Sequence, residues 1–113
     1  MNDSEFARTP EPPYWVVLFT SRRTPGDEGY GAMAAEMERL AVEQPGYLGI
    51  ESARDQGGIG ITLSYWTTQD AASGWKQVAA HLEAQRLGRE RWYERYEVRV
   101  AKVERAYGWR RRG

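Results

Sequence analysis

The sequence contains no cysteine and a single histidine, His81. The absence of cysteine excludes a disulfide framework, a thiolate zinc site, an iron–sulfur cluster and a cysteine nucleophile. With only one imidazole, we expect no metal site built from histidines. A serine hydrolase triad is not expected either, because no Gly-x-Ser-x-Gly motif occurs near a strand end.

Net charge and long apolar runs are also missing. Sixteen Lys and Arg residues offset sixteen Asp and Glu residues, so no overall field attracts the protein to nucleic acid or to an anionic membrane. The arginines at positions 110–112 lack an aromatic stacking platform, and we interpret them as a solvated tail. No apolar run approaches the roughly 20 residues that cross a bilayer, and the polar residues 1–5 are unlike a signal peptide. We therefore expect a soluble, cytoplasmic protein with no nucleic-acid or membrane partner.

Aromatic side chains are abundant, with five Trp and seven Tyr among 113 residues. Such side chains offer a large contact area with a polar edge, which favours a ligand pocket or an extensive interface. The length suits one domain. We assign residues 1–13, which carry the prolines of Thr9-Pro10-Glu11-Pro12-Pro13, to a flexible leader, residues 14–108 to the domain and residues 109–113 to a basic tail.

The hydrophobic pattern predicts six elements in the order βαββαβ. Strands are indicated by β-branched and aromatic runs, and helices by apolar residues at three- and four-residue spacing. The expected elements are a strand over 14–20, a helix from 30 to about 44, a hairpin of strands 47–54 and 59–66, a helix from about 71 to 88, a short helical turn within 89–95 and a strand over 96–106. We therefore expect a ferredoxin-like α+β domain, in which two helices cover one face of a single antiparallel sheet.

The first strand is apolar on both of its faces. Alternation places Trp15, Val17 and Phe19 on one face and Tyr14, Val16 and Leu18 on the other. Two helices cover one face of the sheet, and a chain of this length has no further element for the second. We therefore expect a second copy to cover it in a homodimer, with a small-molecule pocket between each sheet and its own helices. The alternative is that the terminal segments mask the outer face.

The candidate site residues lie at the end of the hairpin and on the following helix. Trp66 ends the third strand and Trp75 lies on the apolar stripe of the second helix, so both indoles are expected to converge on the cleft between sheet and helices. The alternative is that both belong to the ordinary core. His81 lies on the flank of the same stripe, beside Gln85. Imidazoles, which titrate at about pH 6.5, suit proton transfer, and the alternative role is a structural hydrogen bond.

Several motifs resemble the antibiotic biosynthesis monooxygenase family, whose members form a dimeric α+β barrel. The motifs are Pro45-Gly46-Tyr47, Ser64-Tyr65-Trp66, Asp70-Ala71 and Trp75. A narrower resemblance, to the YqjZ-like branch of bacterial proteins, rests on a second series of residues. That series comprises Trp75-Lys76, His81, Gln85, Gly88-Arg89, Tyr96, Arg99-Val100-Ala101, Arg105 and Tyr107-Gly108.

The resemblance implies a homodimer with a pocket in each subunit and an oxygenation that needs no flavin, metal or haem. In members that act on polycyclic phenols, the substrate is deprotonated and the carbanion transfers an electron to oxygen, while the protein stabilises an oxyanion and excludes water. Trp66 matches a pocket tryptophan of the quinone-forming members, but Thr62 and Ala72 stand where those enzymes carry asparagine and tyrosine. Gln85 stands where the haem-degrading members carry the axial histidine, so haem ligation is not expected.

Together the residues and the resemblance predict a cofactor-independent monooxygenase that acts on a small aromatic or quinol-like substrate. His81 is the candidate catalytic base or oxyanion partner. Trp66 and Trp75 are candidate pocket walls, and Gln85 and Arg89 are candidate polar contacts. The first alternative is a non-catalytic small-molecule-binding or stress-associated dimer that uses the same pocket. The second is a structural interaction module, in which side chains fill the space between sheet and helices.

Overall fold

The elements follow one another in the βαββαβ order that the sequence predicts. The structure, a computed structural model, describes residues 6–26, 29–85 and 92–112, with residues 81–85 described by their backbone alone. The elements are β1 (Tyr14–Arg23), α1 (Tyr30–Val42), β2 (Tyr47–Arg54), β3 (Ile59–Trp66), α2 (Gln69–Gln85) and β4 (Tyr93–Val103). They form a ferredoxin-like α+β fold, which confirms the predicted fold class. Within the described residues, neither helix is long and apolar enough to cross a membrane.

The sheet is antiparallel throughout, with the strand order β2-β3-β1-β4. In the register of β1 with β3, Trp15 lies opposite Trp66 and Val17 lies opposite Ser64. Val17 and Trp66 belong to a core cluster that also contains buried residues of both helices. The face of β1 that carries Val17 therefore meets the helices, and the alternation predicted for this strand is confirmed.

Both helices show the expected apolar spacing. Met33 and Ala41 are the buried residues of α1, and Ala41 packs into the same cluster as Trp75 of α2. The Thr68 hydroxyl oxygen accepts a hydrogen bond from the backbone N–H of Ala71 at 3.0 Å, which satisfies one of the unpaired N–H groups in the first turn of α2. The predicted end of this helix, at position 88, lies outside the described residues.

Three strand boundaries differ from the sequence prediction. β1 continues past Thr20 to Arg23, and β4 begins at Tyr93 and ends at Val103. A register shift after Arg22 allows Arg23 to pair with Tyr93. The Arg23 guanidinium donates hydrogen bonds to the carbonyl oxygens of Trp92 and Gly26. These bonds stabilise the charged side chain, so β1 can include this residue. The short helical turn expected within 89–95 is therefore wrong for 93–95, which form strand; residues 89–91 lie outside the described part.

The turn before β2 explains why Gly46 is required there. Gly46 has φ +81°, and a Cβ atom at this position would lie 2.7 Å from the side chains of both Ala71 and Thr67. Its carbonyl oxygen accepts a hydrogen bond from the Thr67 N–H at 2.9 Å. The turn thus packs directly on the start of α2, and it places the Tyr47 ring edge-on against Trp66 with centroids 5.7 Å apart.

The outer face of the sheet is only partly covered. Tyr14 and Val16 are buried, whereas Ile61 is 42% exposed. On the β2 side, the backbone N–H of Ala7 donates to the Glu51 carboxylate at 2.8 Å, so the segment before β1 lies against this edge. The outer face is therefore apolar and includes the exposed Ile61, which agrees with the prediction that β1 carries apolar residues on both of its faces.

Candidate ligand-binding site

A cavity of about 640 Å³ lies between the sheet and the two helices. Its size falls within the range of small-molecule sites, roughly 300 to 1,000 Å³. All four strands and both helices contribute to the wall. The described lining is mostly aromatic, aliphatic or thioether, and its non-aromatic apolar members are Val17, Met33, Ala34, Ala35, Met37, Ile50, Ala79, Ala80 and Val98. An interaction module with this space filled by side chains does not fit this geometry.

Aromatic rings form much of the cavity wall. Phe19 stacks on Tyr96 with ring centroids 5.2 Å apart, and it meets Tyr93 edge-on at 5.4 Å. Tyr30 contacts Tyr93 edge-on with a centroid distance of 5.9 Å. All four rings line the cavity, and Trp75 of α2 adds a fifth. Aromatic rings bind one another through such edge and face contacts, so this wall suits a planar aromatic ligand.

Trp66 and Trp75, the two tryptophans that the sequence analysis predicts at the site, are in contact with each other. Trp66 is fully buried and stacks on Trp75, with centroids 5.8 Å apart and an interplanar angle of 25°. Trp75 lines the cavity, whereas Trp66 stands behind the described lining. The Trp66 indole N–H donates to the Ser64 hydroxyl oxygen at 2.9 Å, and Ser64 does line the cavity. Trp75 is therefore both core and wall, while Trp66 reaches the cavity through Ser64.

For the three polar candidates, His81, Gln85 and Arg89, the structure describes at most the position of the backbone. Positions 81 and 85 lie on α2, and position 81 is one helical turn beyond Gln77, which lines the cavity. The side chains of His81 and Gln85, and the whole of Arg89, lie outside the described residues. Their roles therefore stay predictions.

Sequence reasoning missed a group of hydroxyls on the sheet surface of the cavity. Ser52 lies opposite Thr62 in the pairing of β2 with β3, and Ser64 follows two residues later on the same face. Ser64 is 3% exposed. The signal was present in the alternation of β3, because Thr62 and Ser64 occupy the face of Trp66, which the helices were expected to cover.

Two arginines surround the phenol of Tyr30 in the cavity wall. The Arg23 guanidinium carbon lies 3.6 Å from the Tyr30 ring centroid. Arg54 donates hydrogen bonds to the Tyr30 hydroxyl at 3.2 Å and to the Ser21 hydroxyl at 3.0 Å. In the part of the chain that the structure describes, neither guanidinium forms an ion pair with a carboxylate. Both guanidinium groups thus hold the Tyr30 ring from behind, while the charged side chains in the described lining are those of Glu38 and Lys76.

Two tyrosines near the core hold their protons more tightly than usual. Burial raises the pKa of Tyr47, and the negative charge of Glu38 raises it further. Burial also raises the pKa of Tyr65, as does the hydrogen bond that its hydroxyl donates to Glu51 at 2.8 Å. Both phenols therefore stay neutral at neutral pH, and neither supplies a base.

The sequence has a near relative among bacterial proteins. No protein-family model matches the chain. It is 50% identical over 99 residues to YqjZ of Bacillus subtilis, an uncharacterized protein, and the alignment covers 88% of this chain and 87% of YqjZ.

Solved structures with the same fold are more distant in sequence. A variant of SnoaB, a cofactor-independent oxygenase from Streptomyces nogalater, superposes with a TM-score of 0.67 at 13% identity, covering 82% of this chain and 95% of SnoaB. A candidate antibiotic biosynthesis monooxygenase from Bordetella bronchiseptica gives a TM-score of 0.61 at 20% identity, covering 80% and 96% of the two chains. Protein SO0527 from Shewanella oneidensis gives 0.68 at 13% identity, covering 83% and 94%. At these identities the similarity shows a shared fold.

Proposed function

Because the chain belongs to the family of Bacillus subtilis YqjZ and shares its fold with a cofactor-independent oxygenase and with a candidate antibiotic biosynthesis monooxygenase, we propose that it is a cofactor-independent monooxygenase. Its substrate is a small aromatic or quinol-like molecule held between the sheet and the helices. The observation that carries this proposal is the aromatic cavity of about 640 Å³. Neither the fold nor the family membership alone specifies a reaction.

The cavity supports a reaction that forms an anion from an aromatic substrate. Its rings provide contact area for a planar molecule. The side chain of Lys76 and the hydroxyls of Thr62 and Ser64 supply positive charge and hydrogen-bond donors in the described lining. Such groups stabilise a phenolate or enolate oxygen most strongly where water is excluded.

In the proposed reaction a base first removes a proton from the substrate, and His81 is our candidate for that base. The resulting carbanion transfers an electron to dioxygen, which is the co-substrate. With an anthrone, one oxygen atom of dioxygen replaces the two hydrogens of the ring CH₂ group as a carbonyl, and the other leaves as water. Trp75 orients the ring, Trp66 supports the wall, and Gln85 and Arg89 are proposed polar contacts to substrate oxygens.

We also propose that two copies associate through the outer faces of their sheets. Leu18 and Leu63 are half-buried on this face and lie opposite each other in the β1–β3 register. Ile61, on the same face of β3, is 42% exposed. A second sheet packed here would remove this apolar surface from water and complete the dimeric α+β barrel.

Oxygen consumption with a panel of anthrones and hydroquinones tests the proposal. We expect uptake by the wild type, loss of uptake in His81→Ala, and weaker substrate binding in Trp75→Leu. Trp109→Leu is the matched control, because Trp109 is 83% exposed in the C-terminal segment. Saturable binding of a panel member without oxygen uptake would contradict the monooxygenase and favour the non-catalytic binding protein.

A further inference from the structure

Ser64 is a buried hydroxyl in the wall of the cavity. It is 3% exposed, lies on β3 and contacts the cavity. A serine hydroxyl can donate one hydrogen bond and accept two. Ser64 accepts one from the Trp66 indole N–H at 2.9 Å, and an indole nitrogen cannot accept in return. Among the described residues, the proton of Ser64 itself has no acceptor.

The indole makes this proton a better donor. Hydrogen bonds in a chain polarise one another, so a hydroxyl that accepts from an N–H donates more strongly to its next partner. The low local dielectric around a buried group increases the effect, and it also makes an unused donor costly. Trp66 is itself held in place by Trp75 and Tyr47, so the donor has a fixed position.

The neighbouring hydroxyls do not share this arrangement. Ser52 is exposed and Thr62 is half-buried, so water can satisfy both. Neither accepts a hydrogen bond from a described side chain of the kind that Ser64 receives. Among these three hydroxyls, Ser64 is therefore the one whose donor is both buried and without an acceptor among the described residues.

From this geometry we propose that Ser64, supported by Trp66, donates a hydrogen bond to a ring oxygen of the bound ligand. The ligand class is an aromatic molecule with a phenol, phenolate or aryl ether oxygen on the edge that faces the sheet. This assignment deepens the proposed function, since it rests on an aromatic ligand in the same cavity, but it does not require turnover. Ser64 acts as a specificity-determining residue.

Three related probes separate the donor from the rest of the cavity: naphthalene, 2-naphthol and 2-methoxynaphthalene. Both oxygen-bearing probes can accept from Ser64, and 2-methoxynaphthalene cannot donate. We expect Ser64→Ala to weaken binding of both by about three- to tenfold, and naphthalene binding to change by less than about twofold. Ser64→Thr, which keeps the hydroxyl, should restore part of the preference. Fluorescence titration measures the dissociation constants.

Ser73→Ala is the matched control. Ser73 is half-buried on α2 and is not among the described cavity residues. We expect it to leave all three dissociation constants unchanged. If Ser64→Ala fails to fold, Ser64→Cys, which replaces the hydroxyl with a weak donor, serves in its place.

The outcomes distinguish this assignment from the proposed reaction. Equal loss for all three probes, or loss for 2-naphthol alone, would overturn Ser64 as a donor. Absence of binding of all three to the wild type would overturn the assignment as well. Preference for the oxygen-bearing probes through Ser64, together with no oxygen uptake, would support the assignment and contradict the monooxygenase.

Discussion

Trp66 and Trp75 stack at a centroid distance of 5.8 Å and thereby join the end of β3 to α2. One ring is fully buried and the other forms part of the cavity wall. The two stacked indoles therefore separate the hydrophobic core from the cavity. We expect replacement of Trp66, on the core side, to lower the stability of the fold, and replacement of Trp75, on the cavity side, to weaken ligand binding.

Replacement of the rear indole tests its role as core. Trp66→Ala should lower the free energy of unfolding by about 3 to 5 kcal/mol, because it removes a large buried side chain and leaves a cavity. Trp109→Ala should change it by less than about 0.5 kcal/mol, since Trp109 is 83% exposed. Urea unfolding followed by circular dichroism measures both. Similar values for the two variants would contradict the position assigned to Trp66.

The turn at Gly46 gives a second test of stability with an internal control. Gly46→Ala should destabilise the fold by more than about 1 kcal/mol, because an alanine would adopt a positive φ and its Cβ would collide with Ala71 and Thr67. Gly74→Ala should have the opposite sign, stabilising by up to about 1 kcal/mol. Gly74 lies within α2, where an added Cβ meets nothing within 4 Å. Thermal or urea unfolding that ranks the two variants in the other order would contradict this account.

The sheet could be predicted from the sequence because strand alternation is a local property. The apolar faces of β1 and the end of β3 at Trp66 follow from runs of β-branched and aromatic residues. The start of β4 at Tyr93 was not predicted, because the charged residues around it favoured a short helical turn. The pairing of Arg95 with Arg22 and of Tyr93 with Arg23, on the two sides of the register shift, makes that segment a strand.

The candidate site was predictable in part for the same reason. Periodicity placed Trp75 on the inner stripe of a helix, and the cleft between sheet and helices follows from the fold. The hydrogen bond from Trp66 to Ser64 joins residues two apart on one strand face, yet no pattern of residue types specifies it. It depends on the rotamer that Tyr47 and Trp75 impose on the indole.

Filling the cavity from α1 tests whether a ligand enters it. Ala34 is half-buried and lines the cavity, so Ala34→Phe should weaken 2-naphthol binding by about tenfold or more while the protein stays folded. Ala32→Phe adds the same ring to an exposed position of the same helix that is not among the described lining. It should bind like the wild type. Equal affinity in the two variants would place the ligand elsewhere.

The raised pKa of Tyr65 predicts that the folded protein loses stability at alkaline pH. Its pKa is raised in the folded protein, first by burial and then by the hydrogen bond to Glu51. Above about pH 10 an unfolded tyrosine loses its proton while the folded one keeps it, so the unfolded state binds fewer protons and stability falls as pH rises. The contribution of Tyr65 is thus complete below that pH and is lost above it.

The unfolding free energy should therefore fall less steeply between about pH 9 and 12 in Tyr65→Phe than in the wild type. The change in slope corresponds to at most about one proton released on unfolding. Glu51→Gln, which keeps a hydrogen-bond acceptor but removes the charge, should give an intermediate slope. Unfolding midpoints measured at several pH values provide the slopes. A Tyr65→Phe slope parallel to that of the wild type would show that Tyr65 does not carry this dependence.

The outer face of the sheet gives the last prediction, which concerns the oligomeric state. Leu63 is half-buried in the middle of β3 on the face that carries Ile61. If a second copy covers this face, a charge placed there loses water without gaining a partner, so Leu63→Lys should convert a dimer to a monomer. Val42→Lys makes the same change at a position that is 57% exposed at the end of α1, and should leave the dimer intact.

Size-exclusion chromatography with light scattering at micromolar concentration measures the mass of each variant, and circular dichroism checks that Leu63→Lys is folded. A monomeric wild type would contradict the dimer and would favour masking of this face by the segment that binds Glu51 through Ala7. A dimer that survives Leu63→Lys would mean that the two copies associate through another surface. Because the cavity lies on the opposite side of the sheet, 2-naphthol binding by monomeric Leu63→Lys should persist, which separates the interface from the ligand site.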